Sequence, residues 1–368
     1  MFRWTKTIWT AIGLGLALVI AQVSYGGNWP IEPSDQTHPI GNSGAELANG
    51  GSGFHYGIDI MEDHHWPDTN AHWVVTKDQG KVVSGNFTGC GTHCDMSLVA
   101  ADGTTQKYIH LDELSFQTAI ITAYMNGTIL PAGTHVGKVV EWNGCTNHPG
   151  HDYYHHLHFE ILDTTGRLEP VLWLSPNTDT DGPFIEDVWF TNNDFVGTLT
   201  ALPQDGSSTI VQGKIDIIVK AFDRQFATFM QNHKTAVLKL QYTVKDSSAN
   251  VVKVGRIIDL SIIPDDPYAN VLYADDSPFH SSADYCTPKE NYFYVVTNVD
   301  DNNSMPQTFK KDNSWDTTMH PNGTYQVVVT VWNGNSVSLV KQVMIKNLIV
   351  DPVADTAAPK APSNLRIQ

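Results

Sequence analysis

Apolar and polar residues alternate along short segments in the first half of the chain, and this alternation predicts β-strands. The pattern recurs in residues 73–75, 81–83, 97–100, 136–141 and 156–161, with turn residues between the segments. Residues 115–125 are instead compatible with a helix. We therefore predict a small antiparallel β domain that has a groove on one face of its sheet.

The second half of the chain is also rich in strand patterns. Residues 215–221 alternate, and four apolar residues share one face of a further strand: Leu238, Leu240, Tyr242 and Val244. Residues 323–332 and 336–345 predict two strands, and Asn333-Gly334 between them is typical of a β-hairpin. The fold class is therefore mainly β, with an immunoglobulin-like or fibronectin-like β-sandwich in the second half. We expect insertions, because this region is longer than one minimal module of that type.

The N-terminus has the features of an export signal. Arg3 and Lys6 precede an apolar run over residues 8–21, which is short for a membrane span, and small residues follow at Ser24 and Gly26. We predict a signal peptide over residues 1–26, with an uncleaved anchor as the alternative. The mature protein is then secreted, periplasmic or in the cell envelope, with no membrane contact after signal cleavage.

Composition divides the rest of the chain. Residues 177–185 are rich in Asn, Asp, Thr, Gly and Pro, which is typical of a linker, and residues 353–368 form a Pro/Ala-rich tail. We predict a first domain over residues 27–176 and an accessory β domain over residues 186–352. The accessory domain has no cluster of catalytic residue types, so the sequence predicts that it serves targeting and is dispensable for the chemistry.

The chain is acidic, with a net charge of -17 from 22 Lys and Arg against 39 Asp and Glu. Nucleic acids and anionic membrane surfaces bind basic patches, so this charge argues against both partners. We expect a monomer.

Four cysteines offer several disulfide pairings. They are Cys90, Cys94, Cys145 and Cys286, and export makes disulfides the expected state. A bridge from Cys90 or Cys94 to Cys145 would brace the rim of the groove, and a local Cys90–Cys94 bridge is the competing arrangement. A zinc site that uses Cys90, His93 and Cys94 is a further alternative.

The segment His156-Leu157-His158-Phe159-Glu160 contains the first candidate chemistry. On a strand, alternate side chains share a face, so the two histidines and Glu160 point one way and the apolar residues the other. The Cα atoms of the two histidines are then about 7 Å apart. One imidazole can bind a metal ion while the other stands beside it.

His55 and Asp59 form the second candidate pair. On a straight strand their Cα atoms would be about 13 Å apart, too far for one ion, so we expect the chain to bend at Gly57 before a strand at residues 58–60. Two imidazoles and one carboxylate leave an open fourth position on zinc, which is typical of catalytic rather than structural sites.

His110 is the third candidate, in the strand-like segment Tyr108-Ile109-His110-Leu111. Beside the other two segments, its imidazole is a candidate to orient water or to stabilise an oxyanion.

Together these segments give the chain a family resemblance. Residues 55–60, 108–111 and 156–160, with residues 131–137 between them, resemble the M23 zinc metallopeptidases of the lysostaphin/LytM type in both order and separation. The resemblance covers roughly residues 40–175. The inserted residues 148–155 and the segment 63–68 depart from the family pattern in their many histidines. We interpret them as a solvated, aromatic rim, with a second metal or a pH-sensitive rim as the alternative.

The resemblance implies a role for each candidate residue. His55, Asp59 and His158 would be the ligands of a Zn²⁺ cofactor, His156 the general base, and His110 the residue that positions water or steadies the tetrahedral intermediate. Members of this family mostly cut peptide bonds in bacterial peptidoglycan, and some cut glycine-rich proteins. The resemblance therefore implies an exported zinc endopeptidase that hydrolyses cross-link or stem peptides of peptidoglycan. A secreted protease for glycine-rich proteins and a non-catalytic wall-binding protein are the alternatives.

Overall fold

The structure is a computed structural model. It describes residues 28–48, 52–65, 67–142, 154–177, 181–192, 202, 204–205, 207–224, 234–276, 279–282, 291–302 and 304–347. The predicted signal peptide, the predicted tail, Cys145, Cys286 and most of the histidine-rich insertion lie outside the described residues. Among these described residues, no helix has the length and apolar character needed to cross a membrane.

In the first half of the chain, short strands surround one helix. The strands are β1 (Leu47–Ala48), β2 (Gly53–Phe54), β3 (Ile58–Met61), β4 (Val74–Val75), β5 (Gly80–Asn86), β6 (Cys94–Ala100), β7 (Thr105–Leu111), β8 (Ile129–Leu130), β9 (His135–Gly137), β10 (His156–Leu162) and β11 (Arg167–Leu168). The helix is α1 (Thr118–Asn126), and single 3₁₀ turns occur at Gly91–His93, Glu113–Ser115 and Pro170–Trp173.

The second half is also built of strands. They are β12 (Phe184–Asn192), β13 (Gln204–Asp205), β14 (Ser208–Val211), β15 (Lys214–Phe222), β16 (Lys239–Lys245), β17 (Val251–Val254), β18 (Ile258–Asp259), β19 (Ile262–Ile263), β20 (Asp275–Asp276), β21 (Phe279–His280), β22 (Phe293–Val295), β23 (Trp315–Asp316), β24 (Gly323–Asn333) and β25 (Asn335–Ile345). Helix α2 (Ala269–Leu272) and 3₁₀ turns at Asp266–Tyr268 and Thr317–Met319 complete the elements. The protein is mainly β, as the sequence predicts.

One antiparallel sheet dominates the first half, in the strand order β19-β11-β10-β7-β6-β5-β8, with β3 also paired to β10. Strand β10 shows the predicted alternation. Its side chains Leu157, Phe159 and Ile161 are buried in the hydrophobic core behind the sheet. Its histidines and Glu160 lie on the opposite face. Because the apolar face is held in the core, these polar side chains point toward the candidate site.

Two sheets pack against one core in the second half. Strands β12, β15, β22 and β23 form one sheet, and β13, β14, β25, β24, β16, β17 and β18 form the other. The predicted strand at residues 238–244 is observed as β16 and places Leu240, Tyr242 and Val244 in this core, together with residues of β15. The predicted hairpin at Asn333-Gly334 is confirmed, and Gly334 has the left-handed φ of 79° that such a turn requires. One pair, β14 with β25, is parallel.

The two halves share a hydrophobic core. Ala45, Leu47 and Phe54, from the hairpin β1–β2, are buried among residues of the second half, and strand β11 pairs with β19. The predicted separation into two independent domains stays a prediction. However, the shared core argues against the expectation that residues 186–352 are dispensable for the chemistry. The hairpin that packs against the second half directly precedes the candidate ligand His55.

The remaining predicted segments agree with the observed elements to within a few residues. The predicted helix at 115–125 is α1, which begins three residues later because Ser115 ends a 3₁₀ turn. The predicted strand at 136–141 is shorter than expected. It ends at Gly137, and only Val139 continues as an isolated bridge to Leu111.

Candidate metal centre

The pairing of β3 with β10 brings two of the candidate ligands together. Asp59 lies directly opposite His158 in this antiparallel pair. Side chains at such positions have Cβ atoms about 4.5–5.5 Å apart and interact directly. His55 lies in the loop between β2 and β3, and its amide donates to the carbonyl of Glu46 at 2.8 Å.

Gly57 lies at a bend in the chain, as the sequence predicts, and its lack of a side chain has a second role. Its φ lies outside the left-handed region, whereas a Cβ at this position would lie 2.3 Å from the carbonyl oxygen of Phe159. Real Cβ atoms do not approach a backbone oxygen this closely. The absence of a side chain therefore lets the loop pass directly over β10, which brings His55 to the face that carries His158.

The three candidate ligands converge on one point. Nε2 of His55 lies 3.1 Å from Oδ1 of Asp59 and 2.9 Å from Nδ1 of His158. Nδ1 of His158 lies 3.0 Å from the same Asp59 oxygen. Each atom belongs to a half-buried or buried side chain, and the three residues form a group able to hold a metal ion.

Hydrogen bonds select which ring nitrogen of each histidine faces this point. Nδ1 of His55 lies 3.0 Å from the carbonyl oxygen of Ser43, which only accepts, so in the neutral imidazole Nδ1 carries the proton and Nε2 the lone pair. Oε1 of Glu160 lies 3.5 Å from Nε2 of His158 and favours the proton there, which leaves a lone pair on Nδ1. Two lone pairs and a carboxylate oxygen thus meet within about 3 Å.

This donor set fits a zinc ion. Three such atoms at mutual distances of 2.9–3.1 Å repel one another unless a proton or a metal ion lies between them. In a tetrahedral site with ligand distances of about 2.0–2.1 Å, adjacent ligands are roughly 3.3 Å apart. The observed triangle is therefore close to one face of such a tetrahedron, and its two nitrogens and one oxygen are donor types that zinc prefers.

The electrostatics of the site also favour positive charge. Burial disfavours the charged form of His55, but the carboxylate of Asp59 outweighs it and raises the pKa of His55 to about 9, so that binding of a metal ion would displace a proton from Nε2. Burial likewise opposes the ionisation of Asp59, yet the imidazoles of His156, His55 and His158 hold its pKa well below the usual value. The carboxylate is therefore ionised and ready to bind a cation.

Several residues that support the ligands were not singled out by the sequence. The second oxygen of Asp59 lies 3.3 Å from the hydroxyl of Tyr154, which also bonds the side chain of Asn42. Ser43 acts through its backbone carbonyl, and no side-chain pattern reveals such a contact. For Glu160 a signal was present, because it shares the strand face of His158.

His156 lies beside the three ligands without joining them. Its Nδ1 donates to the carbonyl of Tyr154 at 2.8 Å, so its Nε2 carries a lone pair and lies 3.6 Å from Oδ1 of Asp59. Burial lowers the pKa of His156, although the carboxylate of Asp59 opposes this shift. A neutral imidazole whose lone pair faces the site is able to accept a proton.

His110 lies next to His156, with 4.7 Å between the ring centroids. Its Nδ1 donates to the carbonyl of Thr92 at 2.8 Å, which again leaves the lone pair on Nε2. Burial, and then the charge of His156, lower the pKa of His110 to about 3. The structure therefore places all five predicted residues on one face of the sheet.

An aromatic wall borders the two histidines. The ring of Trp142 lies 4.7 Å from that of His110 and 5.3 Å from that of His156, and the amide of Trp142 donates to Nδ1 of His155 at 2.9 Å. His155 is buried, which differs from the solvated rim that the sequence predicts. Sequence reasoning missed Trp142, because a single tryptophan in a loop has no distinguishing pattern.

Within the described residues, a second group of potential ligand atoms consists of Cys90, Cys94 and Glu113. The two cysteines form a disulfide, so the local pairing is the one present, and the alternative zinc site at Cys90 and Cys94 is excluded in this state. Among the described residues, the histidines of segment 63–68 belong to no group of three converging ligand atoms. His148 and His151 lie outside the described residues.

The contact of Glu160 with His158 leads to a prediction. Glu160→Gln removes the charge that favours the proton on Nε2 of His158, and it should lower zinc affinity by about 10–100-fold. Glu62→Gln is the matched control, because buried Glu62 bonds Nδ1 of His72 at 2.8 Å and touches no candidate ligand atom. Competition with a chromogenic chelator measures both. Equal affinities in the two variants would contradict the role of Glu160.

Comparisons with known proteins give structural neighbours of low similarity. The catalytic domain of the antimicrobial peptidase lysostaphin from Staphylococcus simulans is 20% identical over 37% of this chain and 86% of that chain, with a TM-score of 0.24. A structure of lysostaphin from the same organism is 15% identical over 57% and 87%, with a TM-score of 0.23. A putative glycyl-glycine endopeptidase LytM from Ruminococcus gnavus ATCC 29149 is 21% identical over 32% and 45%, with a TM-score of 0.19.

These scores are too low to carry a functional argument. A scan against protein-family models and a search of curated proteins found no match.

Proposed function

We propose that this protein is an exported zinc endopeptidase that hydrolyses peptide bonds of bacterial peptidoglycan, in cross-links or stem peptides. The observation that carries the proposal is the convergence of two imidazole lone pairs and one carboxylate oxygen within 2.9–3.1 Å, beside two further neutral imidazoles. Structural zinc sites mostly have four protein ligands, whereas three protein ligands leave a position for water or substrate.

His55, Asp59 and His158 would hold the ion. When bound, Zn²⁺ supplies Lewis acidity, which lowers the pKa of water toward neutrality and polarises a carbonyl group. The carboxylate of Asp59 offsets one of its two charges, and Glu160 and Ser43 keep the two imidazoles in the tautomers that bind metal.

His156 is suited to be the general base. Its Nε2 lone pair lies on the side of Asp59 Oδ1, so it is able to take the proton of an attacking water molecule near the ligands. The carbonyl of Tyr154 accepts from Nδ1 and stabilises the imidazolium that forms. The proton is then available for the leaving amine, and no covalent intermediate with the protein is required.

The tautomer of His110 favours one of its two predicted roles. With the proton on Nδ1, its Nε2 is an acceptor, and an acceptor positions water rather than stabilising an oxyanion. We therefore assign His110 to the orientation of the attacking water. The ring of Trp142 packs against both histidines and shields them from bulk water.

The substrate and the location in the proposal come from the sequence. Peptidoglycan peptides follow from the resemblance of residues 55–60, 108–111 and 156–160 to the M23 peptidases, and an extracellular or envelope location follows from the predicted signal peptide. Mass spectrometry of products released from purified peptidoglycan, and from a glycine-rich protein, with and without a chelator, tests the proposal. Chelator-sensitive release of peptides from peptidoglycan is expected. A zinc-loaded protein that cleaves neither material would overturn the proposal in favour of a binding protein.

The role of His156 predicts a large kinetic effect. His156→Ala should keep zinc and the fold but lower kcat by about 10²–10⁴-fold, the usual contribution of a general base. His155→Ala is the control, since the His155 imidazole accepts from the backbone amide of Trp142 and does not belong to the group of candidate ligands. Wild-type kcat in a zinc-loaded, folded His156→Ala protein would show that the histidine is no base.

A further inference from the structure

We propose that the disulfide between Cys90 and Cys94 is a positioning device for His110, so that the two cysteines act on the reaction without touching substrate. This inference rests on the proposed peptidase function. The residues concerned are the 90–94 loop, which comprises Cys90, the 3₁₀ turn Gly91–His93 and Cys94, together with His110 on strand β7.

His110 has an unusual backbone conformation. Its φ is 67°, in the left-handed region that residues with a side chain seldom adopt. The pairing of β6 with β7 explains it, because Cys94 pairs with Leu111 and Asp95 with Ile109, so that His110 is an extra residue in a β-bulge. The bulge turns the imidazole of His110 toward His156.

The 90–94 loop fixes this imidazole from one side. The carbonyl of Thr92 accepts from Nδ1 of His110 at 2.8 Å, and the ring of His93 lies 5.4 Å from that of His110 and 6.0 Å from that of Trp142. The hydrogen bond to Thr92 selects the tautomer that leaves the lone pair on Nε2. The rotation of the ring and the position of its proton therefore both depend on where the loop places one carbonyl.

The turn inside the loop has few hydrogen bonds of its own. Gly91, Thr92 and His93 are exposed, and inside the loop one backbone hydrogen bond, His93 to Cys90 at 3.1 Å, closes the turn. A 3₁₀ turn of three residues has weak hydrogen-bond geometry and little stability of its own. Cys94, in contrast, is fully buried in the core and begins β6 beside the bulge. The disulfide thus ties Cys90, at the start of the turn, to β6, the strand opposite the bulge.

The first test removes the disulfide. The double replacement Cys90→Ser/Cys94→Ser should lower kcat on a peptide substrate by about 10- to 10²-fold, because a misplacement of about 1 Å costs this much. The affinity for zinc should stay unchanged, since Ser43, Tyr154 and Glu160 hold the candidate ligands from outside the loop. In a His110→Ala background the same double replacement should cause no further loss, because the disulfide acts through His110. Equal losses with and without His110 would overturn the proposal.

A second variant perturbs the loop while the disulfide stays intact. Gly91 has a φ of 59°, and a Cβ added there would have nothing within 4 Å, so Gly91→Ala strains the turn without a clash. Gly103→Ala is the matched control, because Gly103 also has a positive φ, of 88°, and open space, and lies in the β6–β7 turn. Gly91→Ala should lower kcat, whereas Gly103→Ala should affect only stability.

Nuclear magnetic resonance of zinc-free protein labelled with ¹⁵N-histidine gives a readout independent of activity. Wild-type His110 should show the Nδ1–H tautomer with a slowly exchanging proton, and the double replacement should show a mixture of tautomers. A His110 spectrum that is unchanged in the double replacement would overturn the proposal. Absence of peptidase activity in the zinc-loaded wild type would instead refute the proposed function, and the spectra would still report on the positioning.

Discussion

Replacing Asp59 with alanine is expected to remove zinc from the protein and to abolish peptide hydrolysis. The carboxylate is the one negatively charged group among the three candidate ligands, and its Oδ1 lies within 3.1 Å of both ligand nitrogens. Two neutral imidazoles bind zinc far more weakly than two imidazoles and one carboxylate together. We expect affinity to fall by more than the roughly 100-fold that loss of a supporting residue causes.

Elemental analysis after dialysis, together with chelator competition, measures this effect. Asp95→Ala is the control, because Asp95 lies on the neighbouring strand β6 opposite Ile109 and takes no part in the ligand triangle. Full zinc occupancy in a folded Asp59→Ala protein would refute the assignment of the metal centre.

A fragment of residues 27–176 is expected to lose both stability and zinc affinity. It would expose the side chains of Leu47 and Phe54, which are 4% and 2% exposed in the full chain. Burial of each is worth about 1.5–3 kcal/mol. The fragment also loses the hydrogen bond from the Phe54 amide to Asp266 at 2.9 Å and the pairing of β11 with β19. A loss of this size is a large part of the about 5–15 kcal/mol that stabilises a typical domain.

The loss of zinc affinity has a specific cause. The hydroxyl of Tyr292 donates to Oε2 of Glu46 at 2.9 Å, and Oε1 of Glu46 accepts from Ser43, whose carbonyl orients His55. Circular dichroism melts and chelator competition on the fragment test both expectations. A fragment that melts at the temperature of the full chain and binds zinc equally well would show that the second half is a separate module.

A point substitution tests the same connection in the full chain. Tyr292→Phe keeps the ring but removes the hydrogen bond to Glu46, and it should weaken zinc binding. Tyr294→Phe is the matched control, because the Tyr294 hydroxyl accepts from the amide of Val237 at 3.1 Å and does not bond Glu46. Loss of zinc affinity in the first variant alone would separate the positioning of His55 from general stability.

Much of the local structure follows from the sequence. Period-2 alternation is a property of the strand itself, so it predicts β10 and places His156, His158 and Glu160 on the face opposite Leu157, Phe159 and Ile161. The same reasoning predicts the face of β16 that enters the core, and the turn dipeptide Asn333-Gly334 predicts the hairpin. The types of residue at the candidate site also follow from the sequence, since the chemistry of imidazole and carboxylate does not depend on the fold.

Only the tertiary structure decides how these residues meet. The register of β3 against β10 places Asp59 opposite His158, across about 100 residues of chain, and no local pattern specifies such a register. The Cys90–Cys94 pairing and the bulge at His110 depend on the pairing of β6 with β7. The core shared by the two halves depends on where the hairpin β1–β2 packs. Hydrophobic burial is non-directional. The sequence of a segment therefore determines which of its faces is buried, but the packing of the whole chain determines which other segment covers that face.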